Sequence, residues 1–199
     1  MASPACPSRR LWIAPVLSVL VVLDDVLLIP RAHDYRVLGL LDEPAHLATT
    51  VVGLLVAARA LPRSLRPDLS FAAGAILAGN LIDLDHIPSM LGYEFLTRGT
   101  PRPYSHSLST VAAVLVFAAT RGRTRRIMSG VAFGVLLHLF RDTGTGQVSL
   151  LWPWSRTPTQ VPYAAYATGL GALAVAPLLS RRAIAVTARL NGRARSVAG

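Results

Sequence analysis

The chain places histidine and aspartate inside apolar surroundings, at spacings that could hold a metal ion. His138 and Asp142 lie four residues apart and Asp83 and His86 three apart, so each pair shares a helix face. Asp24, Asp25, His46, Asp85 and His106 also stand in or at the ends of apolar runs. A charged group at the centre of a membrane helix costs roughly 2.5–3.5 kcal/mol. Several such groups on one level therefore call for a shared polar site. Imidazole and carboxylate suit zinc and other divalent first-row ions, manganese among them. Cys6 is the only cysteine, which excludes a thiolate cluster and an internal disulfide. His46, Asp85, His86, His106, His138 and Asp142 are the candidate ligands for one or two ions. Two ions bridged by a carboxylate would clamp a phosphate ester and acidify water.

Asp83, Arg102 and Arg141 are the candidate catalytic groups. Each arginine neighbours a proposed ligand and could grip phosphate oxygens through its planar fork. Asp83 could instead hydrogen-bond within the bundle through Asn80. Asp24 and Asp25 are either ligands or internal hydrogen-bond partners. Tyr104, Ser105 and Ser107 could orient a substrate, and Trp152 and Trp154 read as interfacial anchors or walls for a lipid tail. His33 reads as a solvated loop residue.

The elements that must position these groups are membrane helices. The 199 residues are 52% hydrophobic, with a mean hydropathy of +0.47, too apolar for an ordinary soluble domain. Apolar runs predict six spans near 11–30, 44–62, 69–88, 105–120, 127–142 and 161–180. The fold class is all-α: a single polytopic membrane helical bundle over residues 1–199. Fourteen of the twenty arginines fall before the first span, after the sixth, or in the 2–3 and 4–5 connections, and six fall on the other side. The positive-inside rule then puts both termini in the cytoplasm and the His and Asp residues at the extracytoplasmic face. The first span reads as a retained helix rather than a cleaved signal. The net charge of +10 is carried by arginine alone, dispersed between apolar runs, which argues against a nucleic-acid partner. The basic tail 183–199 could lie on anionic headgroups.

Four segments, in order, resemble the membrane-bound metal-dependent hydrolases of the YdjM-like family. They are Pro44-Ala45-His46; Ile82-Asp83-Leu84-Asp85-His86; Pro101-Arg102-Pro103-Tyr104-Ser105-His106-Ser107; and His138-Leu139-Phe140-Arg141-Asp142 with Thr145, Gly146 and Leu151-Trp152-Pro153-Trp154-Ser155. Together they mark a core over residues 44–156. Pro101 stands where the family has the first His of its third motif, and Ile82 replaces a Pro. The carboxylates of Asp24 and Asp25 could supply what Pro101 lacks. The order of ligands is also similar to zinc-dependent phospholipases C. That likeness implies one zinc held by Asp85 (or Asp83), His106, His138 and Asp142, and a second held in part by His46, with Asp142 bridging.

The expectation is a hydrolase of the bacterial plasma membrane, acting on a phosphoester of a lipid or other amphiphile. Rival readings are a metal or proton transporter, whose polar residues should continue toward the cytoplasm, and a metal-free lipid phosphatase with a His nucleophile. The sequence sets no oligomeric state.

Overall fold

The computed structural model describes residues 9–31, 35–119 and 122–179. Cys6, His33 and the basic tail 183–199 lie outside the described residues. Among the described residues the secondary structure is helical, apart from one isolated antiparallel bridge between Val148 and Thr159.

Seven α-helices follow in chain order among the described residues. Helix α1 (Ile13–Leu23) runs on through a π turn at Asp24–Leu28 and a 3-10 turn to Arg31. Helix α2 (Tyr35–Ala60) is followed by α3 (Leu69–Leu81), which tightens into a 3-10 turn at Ile82–His86 and continues as the short α4 (Ile87–Met90). Then come α5 (Leu108–Ala118), α6 (Arg123–Thr145) and α7 (Tyr163–Leu179).

Two boundaries differ from the sequence expectation in a way that matters. The apolar run predicts a second span from about residue 44. In the structure α2 begins at Tyr35 and Pro44 lies inside it. His46 thus stands about three turns into the helix rather than at its outer end. Helix α6 begins at Arg123, so Arg123, Arg125 and Arg126 belong to its first turn and not to a loop.

Among the described residues two helical stretches, Ile13–Arg31 and Val37–Ala60, are long and apolar enough to cross a membrane. Helix α5 and helix α7 are apolar but shorter. The outward face of α1 is apolar throughout, with Trp12, Val16, Val19, Leu20 and Val26 more than half exposed. Such a face is stable against lipid and not against water.

Helix α6 packs on α2, α3 and α5. Small residues bring α3 and α6 unusually close. A Cβ added to Gly130 would come within 2.0 Å of the Phe71 carbonyl oxygen, and one added to Gly134 within 2.2 Å of that of Ala75. Membrane helices associate through such close backbone approach, because burial from water supplies no drive between them. One buried cluster joins α1, α2 and α7 through Val21, Val52 and Leu170, and a second joins α5 and α6 through Val111, Ala132 and Leu139. The N-terminus of α3 is capped by Asp68, which accepts from the Phe71 N–H at 2.8 Å and pairs with Arg126 at 3.2 Å.

The connections 91–107 and 146–162 fold together over one end of the bundle. The Leu108 N–H donates to Leu150 O at 2.9 Å, and Tyr104 stacks on Trp152 at 4.5 Å. Trp152 is therefore half-buried within this cap, while Trp154 is 80% exposed beside it.

Candidate metal centre

Four elements deliver polar side chains to one buried point beneath the cap. Helix α2 contributes Asp42 and His46, whose i,i+4 spacing puts them on one face. The 3-10 turn after α3 contributes Asp83. The residue His106 comes from the cap, just before α5, where Leu108 begins the helix. Helix α6 contributes His138 and Asp142 from its last two turns, again at i,i+4. His46, His106, His138 and Asp142 are each 1% exposed or less. Two donor groups, His46–His138–Asp142 and Asp83–His86–His106, each keep their atoms within 4.8 Å.

The tautomers follow from the surroundings. His138 Nδ1 lies 2.9 Å from the Gly79 carbonyl oxygen, which can only accept. Nδ1 therefore carries the proton and Nε2 presents a lone pair. The close contact of α3 with α6 makes this bond possible. For His106, the Asp85 carboxylate stands 3.5 Å from Nδ1, which favours the proton there and again leaves Nε2 free. Asp85 is in turn engaged by the Ser105 hydroxyl and lies 3.2 Å from His86 Nδ1.

The two free Nε2 atoms face each other at 3.2 Å and share their space with Asp83 Oδ1 and Asp142 Oδ2. Asp83 Oδ1 is 3.1 Å from His106 and 3.4 Å from His138. Asp142 Oδ2 is 3.6 Å from His106 and 3.2 Å from His138. A regular tetrahedron of ligands at 2.0–2.1 Å from its centre has edges of about 3.3 Å. Five of the six edges of this set, at 3.1, 3.2, 3.2, 3.4 and 3.6 Å, scatter around that value. Both Asp142 oxygens are buried without a hydrogen bond of good geometry among the described residues. A buried carboxylate whose oxygens lack well-formed hydrogen bonds is costly. A proton on one imidazole would relieve a single contact, whereas a divalent cation at the centre would satisfy all four atoms. These residues fit a metal ion.

The structure redistributes the expected roles. Asp83, expected to be catalytic, sits among the four donor atoms. Asp85, expected as a ligand, stands behind His106 on the Nδ1 side, where it orients the ring. His86 flanks the cluster, with Nδ1 3.4 Å from Asp83 Oδ1. His46 stacks on His138 at 3.8 Å, and its Nε2 points to Asp142 Oδ1 at 3.5 Å and to Asp42 Oδ2 at 3.3 Å.

The two arginines have opposite placements. Arg102 lines the cavity and reaches Asp142 Oδ2 at 3.3 Å. Arg141, expected to grip phosphate, is fully buried behind the cluster and does not reach the cavity. Its Nη1 donates to Asp42 and lies 3.2 Å from His46 Nε2, while Nη2 donates to Asp25 at 2.5 Å. Its carboxylate partners on α1 and α2, Asp25 and Asp42, hold the guanidinium on that side of the cluster. Asp25 also accepts from the Tyr163 hydroxyl at 3.2 Å. The two Asp25 oxygens are thus spent inside the bundle, and they do not take the place of the His that Pro101 replaces.

A cavity of about 690 Å³ opens onto the cluster. Asp42, Glu43, Asp83, His86 and Arg102 give it a charged side, and Leu38, Met90 and Pro101 an apolar one. Tyr104 and Ser107 are held within the cap by bonds to Arg98 O and Tyr104 O and do not line this cavity. Asp42 and Glu43 were not singled out from the sequence. The signal was there: Asp42-x-x-x-His46 mirrors His138-x-x-x-Asp142, and only the assumed start at Pro44 hid it.

No curated protein and no solved structure matches the chain. A family model described as YdjM inner membrane protein matches residues 42–197, from the first cluster residue of α2 almost to the C-terminus. The chain belongs to the YdjM family of inner membrane proteins.

Proposed function

We propose that the chain is a membrane-embedded metal-dependent hydrolase that cleaves a phosphoester of a lipid or other amphiphile. The observation that carries this reading is the close set of donor atoms from Asp83, His106, His138 and Asp142 beside a cavity with an arginine on its wall. Imidazole and carboxylate donors at such spacing favour zinc, with manganese as the alternative. The arginine distribution supports six crossings, both termini in the cytoplasm and a site on the extracytoplasmic side. Where α3 and α5 are short, the capping connections make up part of the depth and the bilayer thins around them.

When bound, a divalent ion supplies Lewis acidity toward a phosphoryl oxygen and toward water. The chain's own groups do the rest. Arg102 is anchored by Asp142 and lines the cavity, where its other N–H groups can hold phosphate oxygens. Glu43 lines the same cavity and forms no ion pair with a described residue. It is available to accept the proton of an attacking water at its carboxylate. Asp85 keeps the His106 ring in register. Leu38, Met90 and Pro101 offer the apolar wall that an acyl or prenyl chain needs. Ligand pockets commonly span about 300–1,000 Å³, so the cavity admits a phosphorylated headgroup with part of its tail.

The test is turnover of a panel of lipid phosphomonoesters and phosphodiesters by purified, metal-loaded protein. Arg102→Ala should lower kcat/KM about a hundredfold, a loss in the range seen when one transition-state donor is removed, with the metal content unchanged. Metal-loaded protein inert across both ester classes would refute the phosphoesterase reading.

A further inference from the structure

The geometry points to a centre with a single metal ion, in which the Arg141 guanidinium permanently fills the position of a second cation. This rests on the metal reading above and goes beyond it, because the ligand order alone suggests two ions.

A second set of acceptor atoms does exist beside the first. Asp142 Oδ1, Asp42 Oδ2 and Asp83 Oδ2 surround His46 Nε2 at 3.5, 3.3 and 4.0 Å. Asp83 and Asp142 each turn one oxygen to the first set and the other to this one. In a dinuclear site those two carboxylates would bridge. Here Arg141 Nη1 enters the second set, donating to Asp42 and lying 3.2 Å from His46 Nε2. His46 Nε2 is engaged between this guanidinium at 3.2 Å and the Asp42 carboxylate at 3.3 Å, so it is not free for a metal.

Arg141 is held there from behind. Asp25, in the π turn of α1, accepts from Nη2 at 2.5 Å and is fixed in turn by the Tyr163 hydroxyl from α7. Arginine does not lose its proton in proteins, so the positive charge is permanent. A second divalent ion would put like charges side by side in a buried site. The π turn has a purpose on this reading: it gives α1, which precedes the matched family region, a carboxylate aimed at the centre.

The experiment is metal counting by elemental analysis on the full chain, equilibrated with excess zinc and then freed of loose metal. Monodispersity in detergent serves as the folding check. The wild-type chain should hold one ion. His106→Ala should hold none, His46→Ala should keep its ion, and Arg141→Gln should gain a second. Two ions in the wild type would overturn the inference while leaving the metal reading intact. So would loss of the ion in His46→Ala, or an unchanged count in folded Arg141→Gln. If Arg141→Gln does not fold, the wild-type count and His46→Ala still decide. A wild-type chain without metal would remove the metal reading and this inference together.

Discussion

Asp25→Ala is the substitution that best separates an integral α1 from a loosely attached one. Asp25 lies ahead of the matched family region, yet its side chain is 2% exposed and its partner Arg141 is fully buried. Deleting one partner of a buried ion pair costs about 3–5 kcal/mol, because the other charge stays buried without compensation. Arg141 keeps Asp42 here, and the lost Tyr163 bond adds a smaller term. About 3 kcal/mol is therefore the expected loss. For a chain of this size, 1 kcal/mol moves the midpoint by roughly 2–4 °C, so thermal unfolding in detergent should shift down by roughly 6–12 °C. Asp24, the more exposed neighbour, is the control, and Asp24→Ala should lose less than about 1 kcal/mol. A double-mutant cycle with Arg141→Ala isolates the pair: the double variant should be far less unstable than the sum of the singles. A shift below about 2 °C for Asp25→Ala, or strict additivity in the cycle, would refute the buried clamp.

Asp85→Asn should weaken metal binding about 10–100-fold by releasing the orientation of His106, and competition with a chromogenic chelator measures this. Gly134→Ala should destabilise the fold by about 1–3 kcal/mol, because the new methyl meets the Ala75 carbonyl at 2.2 Å and forces α3 off α6. The same variant should bind metal more weakly, since His138 loses its contact with Gly79. Chelator treatment of the wild-type chain should lower its unfolding temperature, and added zinc should restore it in proportion to the logarithm of its concentration.

Much of the fold was legible because apolar length is a local property. Each of the six apolar runs overlaps a helix of the structure, and among the described residues two helical stretches are long and apolar enough to cross a membrane. The boundaries failed where tertiary packing overrode a local signal, as at Pro44, which looked like a helix start and proved internal. That error concealed Asp42 and Glu43. The convergence of His46, Asp83, His106, His138 and Asp142 was legible from their types and their positions at span ends. The division of labour among them was not. Asp83 and Asp85 are two residues apart in a 3-10 turn, and only the fold decides which oxygen meets the histidine lone pairs and which stands behind a ring. Arg141 has the same limitation. Its neighbour Asp142 suggested a substrate-facing role, while its partners Asp25 and Asp42 come from helices far away in sequence. The supporting role of Gly79 depends on a backbone carbonyl, which no residue type announces.

The most direct test of the central claim is X-ray absorption at the edge of whatever metal copurifies with the chain, beside elemental analysis of a His138→Ala, Asp142→Ala double variant. Nitrogen and oxygen scatterers near 2.0–2.1 Å in fourfold coordination, with the outer-shell signature of two imidazoles, are expected from the wild type. The double variant should carry no metal. A wild-type spectrum without imidazole scattering, or equal metal in both proteins, would contradict the claim that these side chains gather around a cation.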